Sequence, residues 1–205
     1  MLLGLDFDNT LICYDALFHR VALERGLVPL DLPAQKNRVR DYLRQHNQED
    51  QWTHMQGEVY GGRITEAESF PGVMPTLQQL ARTDLPMCIV SHKTRTPYQG
   101  PAYDLHQAAR DWLTTQDFFS PLGLNWSADQ VFFEVTKEEK AQRIVDLGCS
   151  HYIDDLPEIL AMLPNTVQRI LFAPGGEVSV PKDWHQFQRW NQLPPLLSHL
   201  SSVSP

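Results

Sequence analysis

Positive charge is scarce in this 205-residue chain: 17 Lys and Arg stand against 25 Asp and Glu, a formal net charge of −8. Nucleic-acid backbones are gripped by clustered Lys and Arg, so this balance argues against a general nucleic-acid binder. Long apolar runs are also missing. No stretch approaches the roughly 20 apolar residues needed to cross a bilayer, which argues against a membrane partner. The apolar start is short and is broken at once by Asp6 and Asp8, so no signal peptide is expected. Cysteine is nearly absent: Cys13, Cys88 and Cys149 are odd in number, far apart and without metal-ligand spacing. The expectation is reduced, buried thiols and a cytoplasmic location. There is no internal repeat and no low-complexity tract.

A hydrophobic fraction of 42% with 20% charged residues fits a globular protein, and the length suits one full-size domain or a domain with a small insertion. The most informative feature is the opening Leu2-Leu3-Gly4-Leu5-Asp6-Phe7-Asp8-Asn9-Thr10-Leu11, a short apolar strand running into two carboxylates. On a regular strand residues i and i+2 share a face, which would stack Asp6 on Asp8. Like charges that close are tolerated only with a cation between them, or if the chain turns sharply after Asp6. Either way the pair reads as a site.

Four further apolar runs have the look of buried parallel strands: Met87–Val90, Val131–Phe133, His151–Ile153 and Arg169–Phe172. Helical patterns lie between them, at Leu77, Leu80 and Ala81, at Leu105 to Leu113, at Ala141 to Leu147 and at Leu156 to Leu163. Strands alternating with helices give an α/β fold, a Rossmann-like parallel sheet with right-handed crossovers. The first gap differs. From Leu11 to about Pro71 there is helical periodicity (Phe18 to Leu23, Val39 to Leu43, Trp52 to Tyr60) and no convincing strand. That is too long for a crossover and fits a small all-helical insertion. The boundaries expected are a core of 1–13 and 71–205, with the insertion at 14–70. The tail after Phe172, rich in Pro, Trp and Gln, is expected to pack over the sheet.

Ligands of an open α/β sheet bind beyond the carboxyl ends of its strands. The first strand delivers Asp6 and Asp8 there; the second ends in Ser91-His92-Lys93-Thr94; the third is followed by Lys137 and Lys140; the fourth ends in Asp154-Asp155. Carboxylates, a hydroxyl and lysines in one crevice suit a metal held by oxygen beside a phosphate pocket. In that order and spacing the chain resembles the haloacid dehalogenase superfamily, most of whose members are magnesium-dependent phosphatases. Its Asp-x-Asp-x-Thr motif stands here as Asp6-Phe7-Asp8-Asn9-Thr10, its strand-closing Ser or Thr as Ser91, its lysine as Lys137 or Lys140, and its acidic pair as Asp154-Asp155.

The resemblance implies a role for each residue. Asp6 would attack phosphorus and form an aspartyl-phosphate, and Asp8 would act as general acid and then base. Mg²⁺ would be held by Asp6, Asp8 (through its backbone carbonyl) and Asp154, with Asp155 a further ligand through water or an orienting group. Ser91 would donate to a phosphoryl oxygen, and the lysine would neutralise charge. If Thr136 caps its helix, Lys137 and Lys140 share a face, and both stay candidates. His92, Lys93 and Arg95 are placed to touch an anionic substrate, or are simply a polar loop. The insertion would be a lid over the site, with Trp52, His54, Gln56, Tyr60 and Arg63 as candidate contacts; spacing alone reads Trp52 and Tyr60 first as helical core. The implied activity is hydrolysis of a small phosphorylated metabolite. The alternatives are a phosphomutase using the same nucleophile, and a non-catalytic metal- and phosphate-binding module. Hydrolytic dehalogenation is disfavoured because that chemistry has no use for Asp8.

Overall fold

A computed structural model of the chain describes residues 1–203, with side chains through residue 200. The elements in chain order are β1 (Leu3–Leu5), β2 (Ile12–Cys13), α1 (Asp15–Glu24), α2 (Lys36–Gln45), α3 (Glu49–Gly57), β3 (Glu68–Ser69), α4 (Val73–Ala81), β4 (Met87–His92) and α5 (Leu105–Thr115). They continue with β5 (Val131–Glu134), α6 (Lys137–Asp146), β6 (His151–Asp154), α7 (Pro157–Met162), β7 (Gln168–Phe172), β8 (His185–Phe187) and α8 (Leu193–Val203).

Six strands form one sheet in the order β5-β4-β1-β6-β7-β8, every neighbouring pair parallel. This is the α/β, Rossmann-like core expected from the alternation of strands and helices. All five expected strands are present. Their apolar runs are near-continuous because helices cover both faces, leaving Leu3, Leu5, Ile89, Val90, Ile153 and Ile170 fully buried. The sixth strand, β8, was not expected. It is an edge strand of three residues in which only Phe187 is buried, so it has no apolar run to betray it. The tail thus extends the sheet, while Trp190, Leu193 and Leu197 beyond β8 are buried.

The chain forms two compact units. Among the described residues the first holds 1–11, 69–92 and 117–203, the sheet with α4, α6, α7 and α8. The second holds 12–68 together with 93–116. Segment 93–116, which the expected boundaries counted with the core, clusters with the helical insertion. Its α5 packs on residues 58–66, and Trp112 Nε1 donates to the Ala67 carbonyl at 2.8 Å. A π-helical turn at Glu58–Gly62 follows α3, and Gly61 and Gly62 lie against the Tyr103 ring with no room for a Cβ. Arg63 pairs with both Glu24 and Glu66, tying α1 to the 58–66 segment.

All three cysteines are free thiols, with Cys88 and Cys149 buried and their Sγ atoms 3.7 Å apart in the core. No helix among the described residues is long and apolar enough to cross a membrane.

Two histidines of the sheet make stability depend on pH. His151 is held below its ordinary value by burial, then by the N-terminal amine and His185; His185 is lowered by burial, then by His199, with Asp183 opposing. A depressed folded value means the unfolded chain takes up protons first. The contribution is present above pH about 6.5 and is lost as pH falls through the folded values. The melting temperature is therefore expected to drop between pH 7 and pH 5, and to drop less steeply in a His151→Asn, His185→Asn double variant. Equal slopes for the two proteins would refute this.

Candidate active site

The site lies within the first unit, at the carboxyl ends of β1, β4 and β6. Strand order reverses here: β4 and β5 extend from one side of β1, β6 to β8 from the other, and ligand crevices form at such a reversal. Leu5 pairs in register with both Ile89 and Ile153, so β1 delivers Asp6 between two strand ends. The Asp6 amide donates to the Ile153 carbonyl at 2.9 Å, which fixes where the carboxylate leaves the sheet. The chain then turns sharply. Asn9 adopts a left-handed φ of 58°, a conformation that Asn tolerates, and the Leu11 amide returns to the Phe7 carbonyl at 3.0 Å.

Asp6 is 4% exposed and is the hub. Its Oδ1 accepts from Ser91 Oγ at 2.7 Å and from Lys140 Nζ at 2.6 Å; Oδ2 carries a longer contact from Thr10 Oγ1 at 3.3 Å. Lys140, 2% exposed, also donates to Asp154 Oδ2 at 2.6 Å. Asp154 Oδ1 accepts from the Leu156 amide at 2.9 Å, so both oxygens of a fully buried carboxylate are engaged. Burial alone would push the Lys140 ammonium down. Asp6 and Asp154 outweigh it and hold the group above its ordinary value, so Lys140 stays cationic. Asp154 is pushed up to about 7, first by burial and then by the charge of Asp6, against the pull of Lys140.

Thr136 Oγ1 accepts from the Glu139 amide while Glu139 accepts from the Thr136 amide, a capping box that starts α6 at Lys137. Lys140 therefore sits one turn in, on the buried side. Lys137 does not join the site: half-exposed, it pairs with Glu158 at 2.5 Å. Of the two lysines left open by sequence, Lys140 is the one beside Asp6. His92 Nε2 donates to the Val135 carbonyl at 3.0 Å. Lys93 belongs to the second unit, where it is buried and its carbonyl accepts from His106 Nε2 at 2.7 Å. Asp8 and Asp155 are half-buried.

Carboxylate oxygens of Asp6, Asp154 and Asp155 all lie within 4.8 Å of one another, a group that could hold a metal ion; the carboxylate of Asp8 is outside that group. Hard oxygen donors, two of the three buried, fit a small divalent cation. Such a charge would reverse the upward push on Asp154.

Two supporting residues escaped sequence reading. The Lys140 ammonium lies 5.7 Å from the centroid of the Tyr152 ring, and the Tyr152 hydroxyl donates to the Val90 carbonyl. Tyr152 looked like one more apolar strand residue, and only its place beneath Lys140 distinguishes it. Gly4 makes room for it: a Cβ there would stand 2.6 Å from Tyr152 Cδ2 and 3.0 Å from Cys149 Sγ. Gly4→Ala is expected to cost about 1–3 kcal/mol by overpacking, and to lower activity further by displacing the ring under Lys140. Denaturant titration beside an activity assay checks this, and a variant unchanged in both would show the fit to be loose.

In the second unit, Trp52 is buried and stacked on Phe18 at 4.7 Å, and Arg63 pairs with Glu24 and Glu66. Gln56 and Tyr60 line a small cleft, and His54 is exposed.

No protein-family model and no curated protein matches the sequence. Solved structures do. A haloacid dehalogenase family hydrolase from Deinococcus radiodurans, solved with bound phosphate and sodium, matches at TM-score 0.58 and 16% identity over 100% of this chain and 97% of that one. A dehalogenase solved as an intermediate complex matches at TM-score 0.59 and 11% identity over 95% and 96%. A predicted phosphoglycolate phosphatase from Haemophilus somnus matches at TM-score 0.52 and 15% identity over 96% and 97%. At such identities the likeness is one of fold.

Proposed function

For a chain with the fold of the haloacid dehalogenase-like hydrolases, we propose a phosphomonoester hydrolase that acts on a small phosphorylated substrate. The observation that carries this reading is the setting of Asp6, a buried carboxylate with a hydroxyl and an ammonium on one oxygen and a longer contact on the other. Phosphate esters resist nucleophiles because negative charge rings the phosphorus, so a carboxylate must be aimed and its charge offset. Ser91 and Lys140 hold Oδ1, which leaves Oδ2 as the atom to form the new O–P bond while the ester P–O bond breaks. Asp8, half-buried at the turn, gives its proton to the departing oxygen. It then takes one from the water that attacks the aspartyl-phosphate, and Asp6 is released as a carboxylate.

Asp6, Asp154 and Asp155 would hold Mg²⁺, which when bound supplies positive charge to the phosphoryl oxygens. Lys140 lies between Asp6 and Asp154 and donates to both.

Asp8 also separates this reading from dehalogenation, which needs no acid for a halide leaving group. The test is phosphate release from a panel of phosphorylated metabolites with and without Mg²⁺, halide release from 2-haloacids, and product analysis for phosphoryl return to substrate. Release of phosphate that needs metal and falls about 10²–10⁴-fold in Asp8→Asn is the expected result. Halide release unaffected by Asp8→Asn would overturn it.

A further inference from the structure

The chain has only three cysteines, and two of them meet. Within the first unit Cys88 Sγ and Cys149 Sγ lie 3.7 Å apart, in the apolar cluster that also holds Val90, Ile144 and Tyr152. The central strand makes the meeting possible. Cys88 on β4 pairs in register with Gly4 of β1, and Gly4 pairs with Tyr152 of β6. A Cβ on Gly4 would stand 3.0 Å from Cys149 Sγ. Without one, β1 leaves a gap in its side-chain layer, where a thiol from the strand on one side meets a thiol from the turn leading into the strand on the other.

Packing alone has no need of sulfur here, since a free Cys behaves as a small hydrophobe. What the pair adds is the capacity to form a bond. A disulfide needs sulfurs about 2.0 Å apart, and thiols already in contact reach that by side-chain rotation and small backbone shifts. Buried thiols are ordinarily inert, so access decides whether the bond can form. Cys149 is outside the strands: it follows Gly148, an exposed residue at φ 72°, in the short turn from α6 to β6. Opening of that turn alone uncovers its sulfur while the sheet stays intact. The contact also divides the roles. It holds the proton on Cys88, which burial raises further, and lowers Cys149 against the opposing effect of burial, so Cys149 is the readier thiolate.

We propose that Cys88 and Cys149 are a reversible oxidation site, a dithiol that a hydroperoxide converts into a disulfide clasped across β1. The Cys149 thiolate attacks one oxygen of the peroxide and the O–O bond breaks. The departing alkoxide or hydroxide takes up the proton that Cys149 gave up, and the sulfur becomes a sulfenic acid. Cys88 sulfur then displaces that hydroxyl; the S–S bond forms, and water leaves with the Cys88 proton. Two thiols lose two electrons in all, and the peroxide gains them. A dithiol reductant reverses the change. The proposal rests on the thiol geometry and is independent of the phosphomonoesterase reading.

The test treats the folded, reduced whole protein with excess hydrogen peroxide, then alkylates the remaining thiols and maps the peptides by mass. A linkage joining the Cys88 and Cys149 peptides is expected, in molecules of monomeric mass, with dithiothreitol restoring both thiols. Cys13→Ser should form the same linkage. The reaction is repeated in urea, where linkages should spread over the three possible pairings of Cys13, Cys88 and Cys149. Three results would each overturn the proposal. One is a pair still reduced after Cys13 has been oxidised. Another is Cys149 carried on to sulfinic acid while Cys88 remains a thiol. The third is a Cys88–Cys149 linkage that forms as selectively in urea, which would make the pairing a property of the chain and not of the gap at Gly4.

Discussion

Asp6→Asn is expected to abolish phosphate release, by on the order of 10⁴-fold or more, with the melting temperature changed by only a few degrees. The two halves have separate causes. An amide has no charged oxygen to offer phosphorus and forms no stable acyl-phosphate, so the covalent route closes. The fold survives because Asn keeps the volume and much of the bonding. Its carbonyl oxygen can accept from Ser91 Oγ and Lys140 Nζ, as Oδ1 does now at 2.7 and 2.6 Å. Its NH₂ would face Thr10 Oγ1, a hydroxyl that can accept as well as donate. Charge also stays balanced, since Lys140 retains Asp154 as a buried partner. Phosphate release and thermal melting on the same preparation check both halves. A variant within tenfold of wild-type activity would remove Asp6 as nucleophile, and a collapsed fold would show that the site is held by net charge rather than by hydrogen bonds.

What the sequence disclosed follows from what each residue must do locally. Asp6 and Asp154 were legible because each ends an apolar run, and a carboxylate in that position has no bland explanation as strong as a site. Lys140 was half-legible. Lys137 and Lys140 are three apart on one helix, and sequence cannot say which meets the sheet; burial decides, putting Lys140 at 2% exposure and Lys137 against Glu158. Tyr152 and Gly4 were invisible as supports, since an aromatic and a glycine in buried strands satisfy packing and need no further reason. α5 shows a different limit. Its spacing of Leu105, Ala109, Trp112 and Leu113 says that one face is buried, and says nothing about whether a sheet or other helices bury it. Only the contacts with residues 58–66 show that it clusters with the helical insertion.

Lys140→Met should have the largest effect on stability of any single change in the site. Met is close to Lys in length and volume, so the loss is electrostatic rather than a cavity. Asp6 and Asp154 would then face each other, both buried, with no cation between them. Breaking a buried ion pair by removing one partner costs about 3–5 kcal/mol, because the charge left behind has neither water nor a counter-ion. Here two carboxylates are left. A divalent cation offered to Asp6, Asp154 and Asp155 replaces the missing positive charge, so Mg²⁺ is expected to restore much of the lost stability while activity stays low. Wild-type protein, already neutralised by Lys140, should gain less from the metal. Lys137→Met is the control. Its exposed pair with Glu158 is worth under about 1 kcal/mol, and neither melting nor metal response should change. Denaturant titrations of the three proteins with and without Mg²⁺ read the outcome directly. If Lys140→Met matches wild type in stability and gains nothing from metal, then Lys140 is not what holds the two carboxylates together. The positive charge at this sheet end would then have to come from elsewhere.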